Sequence, residues 1–173
     1  MVEGDVLDAA FVHRALEDED AVVSCLGIRK KDPTDPWSEL LSPEDFTVRS
    51  ARVVVDAMKK KRISRIVVIS SAGIGDSWET VDPEIGKVIQ SSNIQKVFLD
   101  LNSMEQVLES SKLDTLAVWP AALVNSGPTG GVHRVDGFAK TSKIHTGDVA
   151  LWMLNAVERV DPFQQRSEMI GSV

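Results

Sequence analysis

Two adjacent serines, Ser70 and Ser71, follow an unbroken run of β-branched residues at positions 66–69. Such a run predicts a strand buried on both faces, as in a parallel sheet. Open α/β sheets bind ligands at the carboxyl ends of their strands, where a hydroxyl can donate to a carbonyl or a carboxamide. An ordinary strand that ends in a turn at Ala72 and Gly73 explains the same residues equally well.

Other kinds of chemistry find little support in the residue spacing. The three histidines, His13, His133 and His145, are not at metal-ligand spacing, and we predict no metal site. Ser71 is not in the G-x-S-x-G motif of serine hydrolases. The single cysteine, Cys25, provides no disulfide framework and is predicted to be a buried structural thiol between apolar neighbours.

The charge and hydropathy of the chain narrow the class of protein. The net charge of −7 argues against a general nucleic-acid binder. No apolar run approaches the roughly 18 residues of a membrane span, and the acidic start is not a signal peptide. We therefore expect a cytoplasmic protein with a small-molecule substrate and neither nucleic acid nor membrane as a partner.

Strands and amphipathic helices are predicted to alternate along the chain, which indicates βαβ units in a parallel sheet. Strands are predicted at 21–26, 66–69, 116–119, 140–144 and 168–170, and helices at 8–16, 44–60, 94–110 and 147–159. Ser42 and Thr146 are predicted to cap the second and the last helix. In the last helix Ala150 and Leu154 are among the residues predicted to face inward. Segments 28–43, 76–92 and 124–137 are predicted to be irregular.

The order of these segments resembles the atypical short-chain dehydrogenase/reductases, especially NmrA-like proteins and the flavin/biliverdin-IXβ reductase group. The matching segments are GDVLD at 4–8, DAVVSCLG at 20–27, VRSARVVVDAMKKKRISRIVVISSAG at 48–73, LDTLAVWPAAL at 113–123, PTG at 128–130 and HTGDVALWML at 145–154. The resemblance implies an α/β fold, a Rossmann-like parallel sheet with helices on both faces. It also implies NAD(P)H-dependent hydride transfer to a small planar or carbonyl substrate, with NADP slightly preferred over NAD.

The resemblance also implies a set of cofactor-binding residues. They are Gly4, Asp5 and Val6 at the adenine; Leu26, Gly27 and Arg29 along the dinucleotide; and Ser70, Ser71, Pro120, Ala121 and Leu123 at the nicotinamide end. Ser71 is implied to be catalytic, through a hydrogen bond to the substrate carbonyl or to the carboxamide.

Two departures from the family pattern limit this analogy. The chain has no tyrosine, so the usual Tyr-x-x-x-Lys pair is impossible. The helix at 94–110 stands in its place and offers Lys96, Asp100, Asn102 and Glu105. Some relatives lack the pair too, and the resemblance implies that there hydride transfer depends on cofactor placement, with a proton from solvent.

The second departure is the dinucleotide loop, because no G-x-G-x-x-G motif occurs and the nearest match, at 73–78, fails at its last position. We expect one N-terminally truncated Rossmann-like domain over 1–173, without the first strand, the glycine-rich loop and the second strand. The pyrophosphate then lacks its helix N-terminus, so weak NAD(P)H binding is predicted unless the glycines at 127, 130 and 131 replace the loop.

Three functions remain open at this stage: an NAD(P)H-dependent oxidoreductase, a non-catalytic dinucleotide-sensing module that acts through protein partners, and an inactive fragment of a reductase. In the doubly wound strand order the first strand would lie beside the strand at 21–26. We therefore expect either that residues 1–6 cover this edge or that two chains self-associate through it.

Overall fold

The computed structural model of the protein describes residues 2–137 and 142–172, and its core is a sheet of five strands. The strands in chain order are β1 (Ala21–Ser24), β2 (Arg65–Ile69), β3 (Asp114–Pro120), β4 (Ala122–Val124), β5 (Val132–Arg134), β6 (Lys143–His145) and β7 (Ser167–Ser172). The main sheet has the order β1-β2-β3-β7-β5, and β4 pairs with β6 in a second, parallel sheet. In the main sheet only β5 runs antiparallel to its neighbour. The predicted Rossmann-like, mostly parallel sheet is therefore confirmed.

Helices cover both faces of this sheet. They are α1 (Ala9–Ala15), α2 (Phe46–Lys61), α3 (Pro83–Ser91), α4 (Ile94–Ser111) and α5 (Thr146–Val157), with a 3₁₀ helix at Gly75–Thr80. Ile66 and Val68 of β2 pack with α1, α2 and α4, whereas Val67 packs with α5 on the opposite face. These three residues are all at most 2% exposed, so the predicted strand buried on both faces is confirmed.

Two segments predicted to be irregular contain regular structure. Residues 76–92 hold most of the 3₁₀ helix and all of α3, where the Asp82 carboxylate accepts from the amides of Glu84 and Ile85. Pro83 follows at the first helical position, where its missing N–H costs nothing. Residues 124–137 include β5, which pairs with β7 and so extends the sheet beyond the last parallel strand.

The first strand differs most from its prediction. It ends at Ser24, and Cys25 is exposed, so the prediction of a buried thiol was wrong. Among the described residues β1 pairs only with β2, so it is an edge strand and Val23 is 37% exposed. Residues 2–6 form no strand, so the expectation that they cover this edge was wrong for the described part of the chain.

Several details of the predicted helices, and the bounds of one predicted strand, also need correction. Ser42 does not cap α2; its hydroxyl oxygen accepts from the Arg29 amide at 3.1 Å. Thr146 is the first residue of α5 and not its cap, and both Ala150 and Leu154 are exposed. The strand predicted at 140–144 is found at Lys143–His145, with positions 140 and 141 outside the described residues. No helix within residues 2–137 and 142–172 is long and apolar enough to cross a membrane.

Candidate active site

The parallel pairing of β1, β2 and β3 brings the segments that follow them to one edge of the sheet. Ser24 is in register with Val68, and Ile69 with Val118. The Ser70 amide extends this ladder by donating to the Val118 carbonyl at 2.8 Å. The sequence segments 25–29, 70–73 and 120–123 therefore leave the sheet side by side, at the carboxyl ends where α/β proteins bind ligands.

A partly buried polar cluster lies directly below this edge. Ser70 is 7% exposed, and its hydroxyl donates to Oε1 of Glu105 on α4. The indole N–H of Trp119, at the end of β3, donates to the same oxygen at 2.8 Å. Burial raises the pKa of Glu105 above its ordinary value, against the opposing effect of these two hydrogen bonds.

Ser71, which the sequence analysis proposed as catalytic, is placed differently from Ser70. Its side chain is half-buried, and its hydroxyl donates only to the carbonyl of the next residue, Ala72, at 3.1 Å. A bond to a neighbouring carbonyl is easily exchanged for one to a ligand. Ser70 is bonded to Glu105, whereas the Ser71 hydroxyl has no partner beyond this carbonyl within the described residues.

Among the four polar residues that α4 offers in place of a tyrosine and lysine, Glu105 is the one that bonds a serine of this edge. Lys96 forms an ion pair with Glu44 at 2.5 Å on the surface. Asp100 accepts from the amides of Thr47 and Val48, at 2.8 and 3.0 Å, and caps α2. Asn102 is half-buried, and no described residue forms a hydrogen bond with its side chain.

The segment after β3 offers both a rigid base and an exposed apolar side chain. Pro120 and Ala121 are buried, and the Ala121 amide donates to the Ile170 carbonyl at 3.2 Å. Leu123, in β4, is 51% exposed. This arrangement fits the packing that the resemblance implies for the nicotinamide ribose and carboxamide.

The segment after β1 is open to solvent. Gly27 is exposed, and a Cβ atom at this position would meet no atom within 4 Å, so a ligand can approach the backbone there. Arg29 is also exposed, whereas Leu26 is half-buried beside α2. A cationic side chain next to an accessible backbone is suited to an anionic dinucleotide.

The proposed adenine-binding residues lie before α1 and make local contacts. The Asp5 carboxylate accepts from the Leu7 amide at 2.8 Å, and Val6 packs against the hydrophobic cluster under α1, α2 and α4. Gly4 is exposed beside the ring of Phe11. None of these contacts tests the assignment to adenine.

Carboxylates occupy the N-termini of three of the five described α-helices, α1, α2 and α3, and helix N-termini are common binding sites for phosphate groups. Asp8 accepts from the Ala10 and Phe11 amides of α1, at 2.9 and 3.2 Å. Asp82 does the same at α3, and Asp100 at α2. A phosphate would have to displace a negative group already bound at these helix ends.

The glycine-containing loop before α5 is engaged in the same way. Asp148, which is fully buried, accepts from the Thr129 and Gly130 amides, both at 2.8 Å, and from the Thr129 hydroxyl at 2.7 Å. That hydroxyl is the main cause that lowers the pKa of Asp148. A side chain at Gly147 would clash with the backbone of Gly127 and Pro128, so this loop packs tightly on the helix. The glycines at 127, 130 and 131 therefore do not form a vacant phosphate cradle.

Within the described residues, carboxylates thus occupy the N-termini of α1, α2 and α3, whereas those of α4 and α5 have no side-chain cap. The fold and this edge define a Rossmann-like nucleotide-binding protein. Comparison with family models is more specific: the chain belongs to the NAD(P)H-binding family, whose model matches residues 1–159. This confirms the resemblance stated from the sequence.

Solved structures with the same fold include oxidoreductases. The chain is similar to an anaerobilin reductase from Escherichia coli O157:H7, with 20% identity and a TM-score of 0.73 over 96% of this chain and 72% of that one. A putative NAD-dependent epimerase/dehydratase from Bacillus halodurans has 24% identity and a TM-score of 0.73, over 99% of this chain and 72% of that one. A short-chain dehydrogenase/reductase from Veillonella parvula in complex with NADP has 15% identity and a TM-score of 0.72, over 99% of this chain and 71% of that one. At these identities the likeness shows the fold.

Proposed function

We propose that this protein is an NAD(P)H-dependent oxidoreductase that reduces a small planar or carbonyl substrate. The observation that carries the proposal is the partly buried Ser70–Glu105–Trp119 cluster beneath the carboxyl edge of the sheet, in a chain of the NAD(P)H-binding family. A carboxyl group held next to a serine hydroxyl at this edge is suited to acid–base chemistry. The reductase and dehydratase neighbours support the same class of reaction.

In this proposal each segment of the edge has one task. Ser71 orients the substrate carbonyl or the carboxamide, and Leu123 packs against the nicotinamide side of the cofactor. Arg29 attracts the negative charge of the dinucleotide from the end of β1. Bound NAD(P)H would supply the hydride. NADP is slightly preferred, in keeping with the NADP complex of the Veillonella neighbour.

A second function, dinucleotide sensing without turnover, is favoured by one observation. The carboxylates of Asp8, Asp82 and Asp148 take helix-terminal or loop amides that a tightly held pyrophosphate would need. Together with the absence of tyrosine, this suits a module that binds nucleotide reversibly and reports its level to a protein partner.

Fluorescence titration with NADPH and NADH is the first experiment. We expect saturable binding with a dissociation constant above about 1 μM, equivalent to about −8 kcal/mol. Arg29→Gln should weaken binding, whereas Arg49→Gln, which removes an equally exposed charge from α2, should not. A submicromolar constant would contradict the weak binding, and no saturation at millimolar nucleotide would contradict the proposed function.

Oxidation of NADPH with flavins and quinones as acceptors then separates the two candidates. Turnover that depends on Ser71 supports the oxidoreductase. Saturable binding without turnover on any acceptor supports the sensing module.

A further inference from the structure

Glu105 has one carboxyl oxygen bound to protein and one available for a proton. Ser70 and Trp119 both donate to Oε1, and no residue within the described part of the chain donates to Oε2. Because Glu105 is only partly buried, water can reach this second oxygen. The geometry leaves Oε2 for water or for a proton.

A cavity connects this carboxyl group with solvent. It has a volume of about 60 Å³, enough for more than one water molecule. Its lining consists of Glu105, Leu108, Glu109, Thr115, Ala117 and Arg166. Glu109 and Arg166 form an ion pair, and both side chains are more than half exposed, so the cavity opens at the protein surface. Glu105 therefore lies between solvent on one side and Ser70 on the other.

We propose that Glu105 is the relay residue that takes a proton from water in this cavity and passes it to Ser70 for delivery to the substrate. The inference rests on the proposed reductase function and supplies the proton source that a chain without tyrosine needs. Glu105 acts through Ser70, so it is a positioning and relay residue and does not itself touch the substrate.

For a carbonyl substrate, the relay begins when the carbonyl carbon accepts the hydride that NAD(P)H provides, and the electrons of the C=O π bond move onto oxygen. That oxygen takes the proton of the Ser70 hydroxyl. The Glu105 carboxyl group then turns its protonated oxygen toward Ser70, and the Ser70 oxygen takes that proton. Water in the cavity returns a proton to Glu105. The substrate is reduced, NAD(P)H is oxidised, and each turnover consumes one proton from solvent.

The charged groups around Glu105 are consistent with a proton held there. Glu109, one turn further along α4, and Arg166 line the same cavity and largely neutralise each other. The strands packed against Glu105 present Ser70, Thr115 and Trp119, none of which is charged. Burial is then the main influence on Glu105, and it raises the pKa of this group.

The first test needs neither cofactor nor turnover. The indole N–H of Trp119 bonds to Glu105, so its ¹H–¹⁵N resonance should shift when Glu105 ionises. We expect the midpoint of this shift above the ordinary glutamate pKa of about 4.3. The titration should vanish in Glu105→Gln, which keeps an acceptor oxygen, and persist in Glu109→Gln. A midpoint at or below the ordinary value, or a titration that survives Glu105→Gln, would overturn the proposal.

The second test asks whether the proton is passed on. For the unchanged chain kcat should fall as pH rises through the midpoint found by NMR, because the relay needs protonated Glu105. Glu105→Gln should lower kcat about tenfold or more and remove that limb of the profile, whereas Glu109→Gln should retain it. Active Glu105→Gln protein with an unaltered rate and profile would refute the relay. Absence of turnover in every variant, the unchanged chain included, would instead refute the reductase function and leave the NMR titration to decide whether Glu105 stores a proton.

Discussion

Removal of the Asp100 carboxylate should make the protein unfold far more readily but leave the function of the folded protein unchanged. Asp100 is 4% exposed and joins α4 to the first turn of α2. It accepts three hydrogen bonds, from the Thr47 amide at 2.8 Å, the Thr47 hydroxyl at 2.6 Å and the Val48 amide at 3.0 Å. Asp100→Ala would leave these buried donors without a partner.

The size of the effect follows from these three donors. A buried donor left unsatisfied costs about 1–3 kcal/mol. Water can enter part of the space and the hydroxyl can rotate, so we expect a total loss of about 3–5 kcal/mol in the free energy of unfolding. Asp100→Asn keeps one acceptor oxygen but turns an amide group toward another donor, so about 2–3 kcal/mol should be lost. Either value is a large part of the roughly 5–15 kcal/mol typical of a folded domain.

Urea denaturation followed by far-ultraviolet circular dichroism measures these losses. Asp56→Ala is the matched control, because Asp56 is an exposed acid on α2 that pairs only with Lys60 at 2.7 Å, and it should change stability by less than about 0.5 kcal/mol. Folded Asp100→Asn should retain its affinity for NADPH within about threefold. A loss below about 1 kcal/mol in Asp100→Ala, or an affinity that collapses while the protein stays folded, would refute the view of Asp100 as a helix cap.

Three further predictions concern the edge serines, the sheet edge and the response to acid. Ser71→Ala should lower turnover about fivefold or more. Ser70→Ala should lower it less, because a water molecule can take the place of Ser70 in the relay. Equal activity of Ser71→Ala and the unchanged chain would remove Ser71 from the site. We propose that two chains associate through the open edge of β1. Light scattering should then show a concentration-dependent dimer that Val23→Lys abolishes, and amide exchange should be slowed across 21–26. A monomer at every concentration would contradict this. Burial of Glu168 opposes its ionisation, but hydrogen bonds from Arg159 and Trp152 prevail and lower its pKa. The stability that depends on ionised Glu168 should therefore be complete above the unfolded pKa of about 4.3 and be lost as pH falls toward the lower folded pKa. Glu168→Gln should flatten the dependence of the free energy of unfolding on pH in this range. An unchanged slope in Glu168→Gln would contradict the prediction.

The sheet could be predicted from the sequence because burial on both faces leaves a direct mark on residue choice. An unbroken run such as 66–69 has few alternatives to a central parallel strand. The same reasoning failed at Cys25, because an apolar run does not reveal whether a strand is central or at the edge. Val22 and Val23 look alike in sequence, yet only Val23 is exposed, since β1 has a single neighbour among the described strands.

Some features were missed although the signal was present. Asp82 followed by Pro83 is a typical helix start, and it could have predicted α3 in a segment expected to be irregular. The strand β5 had no such signal, because three residues between glycine-rich segments become a strand only through pairing with β7.

The polar cluster could be predicted only in part. The sequence indicated serines at the end of β2 and four polar residues on the α4 helix, but not which of them meet. Glu105 comes one residue after Met104, which packs in the core, so a partly inward position was visible from helical spacing. Its contact with Ser70 joins residues 35 positions apart and depends on how α4 lies across the sheet. Asp100, which is more deeply buried, instead accepts from the amides at the start of α2.

The distribution of carboxylates distinguishes the segments expected to bind the pyrophosphate from those expected to bind the nicotinamide end of the cofactor. At Asp8, Asp82 and Asp148 a side chain satisfies amides that a phosphate could otherwise bind, and each such bond stabilises the fold without any ligand. At Ser71, Gly27 and Leu123 no comparable internal partner within the described chain competes with a ligand. We therefore expect the nicotinamide side to contribute much of the binding energy for a nucleotide. In the proposed function, recognition and chemistry would then depend on the same edge of the sheet, where Glu105 and the two serines lie.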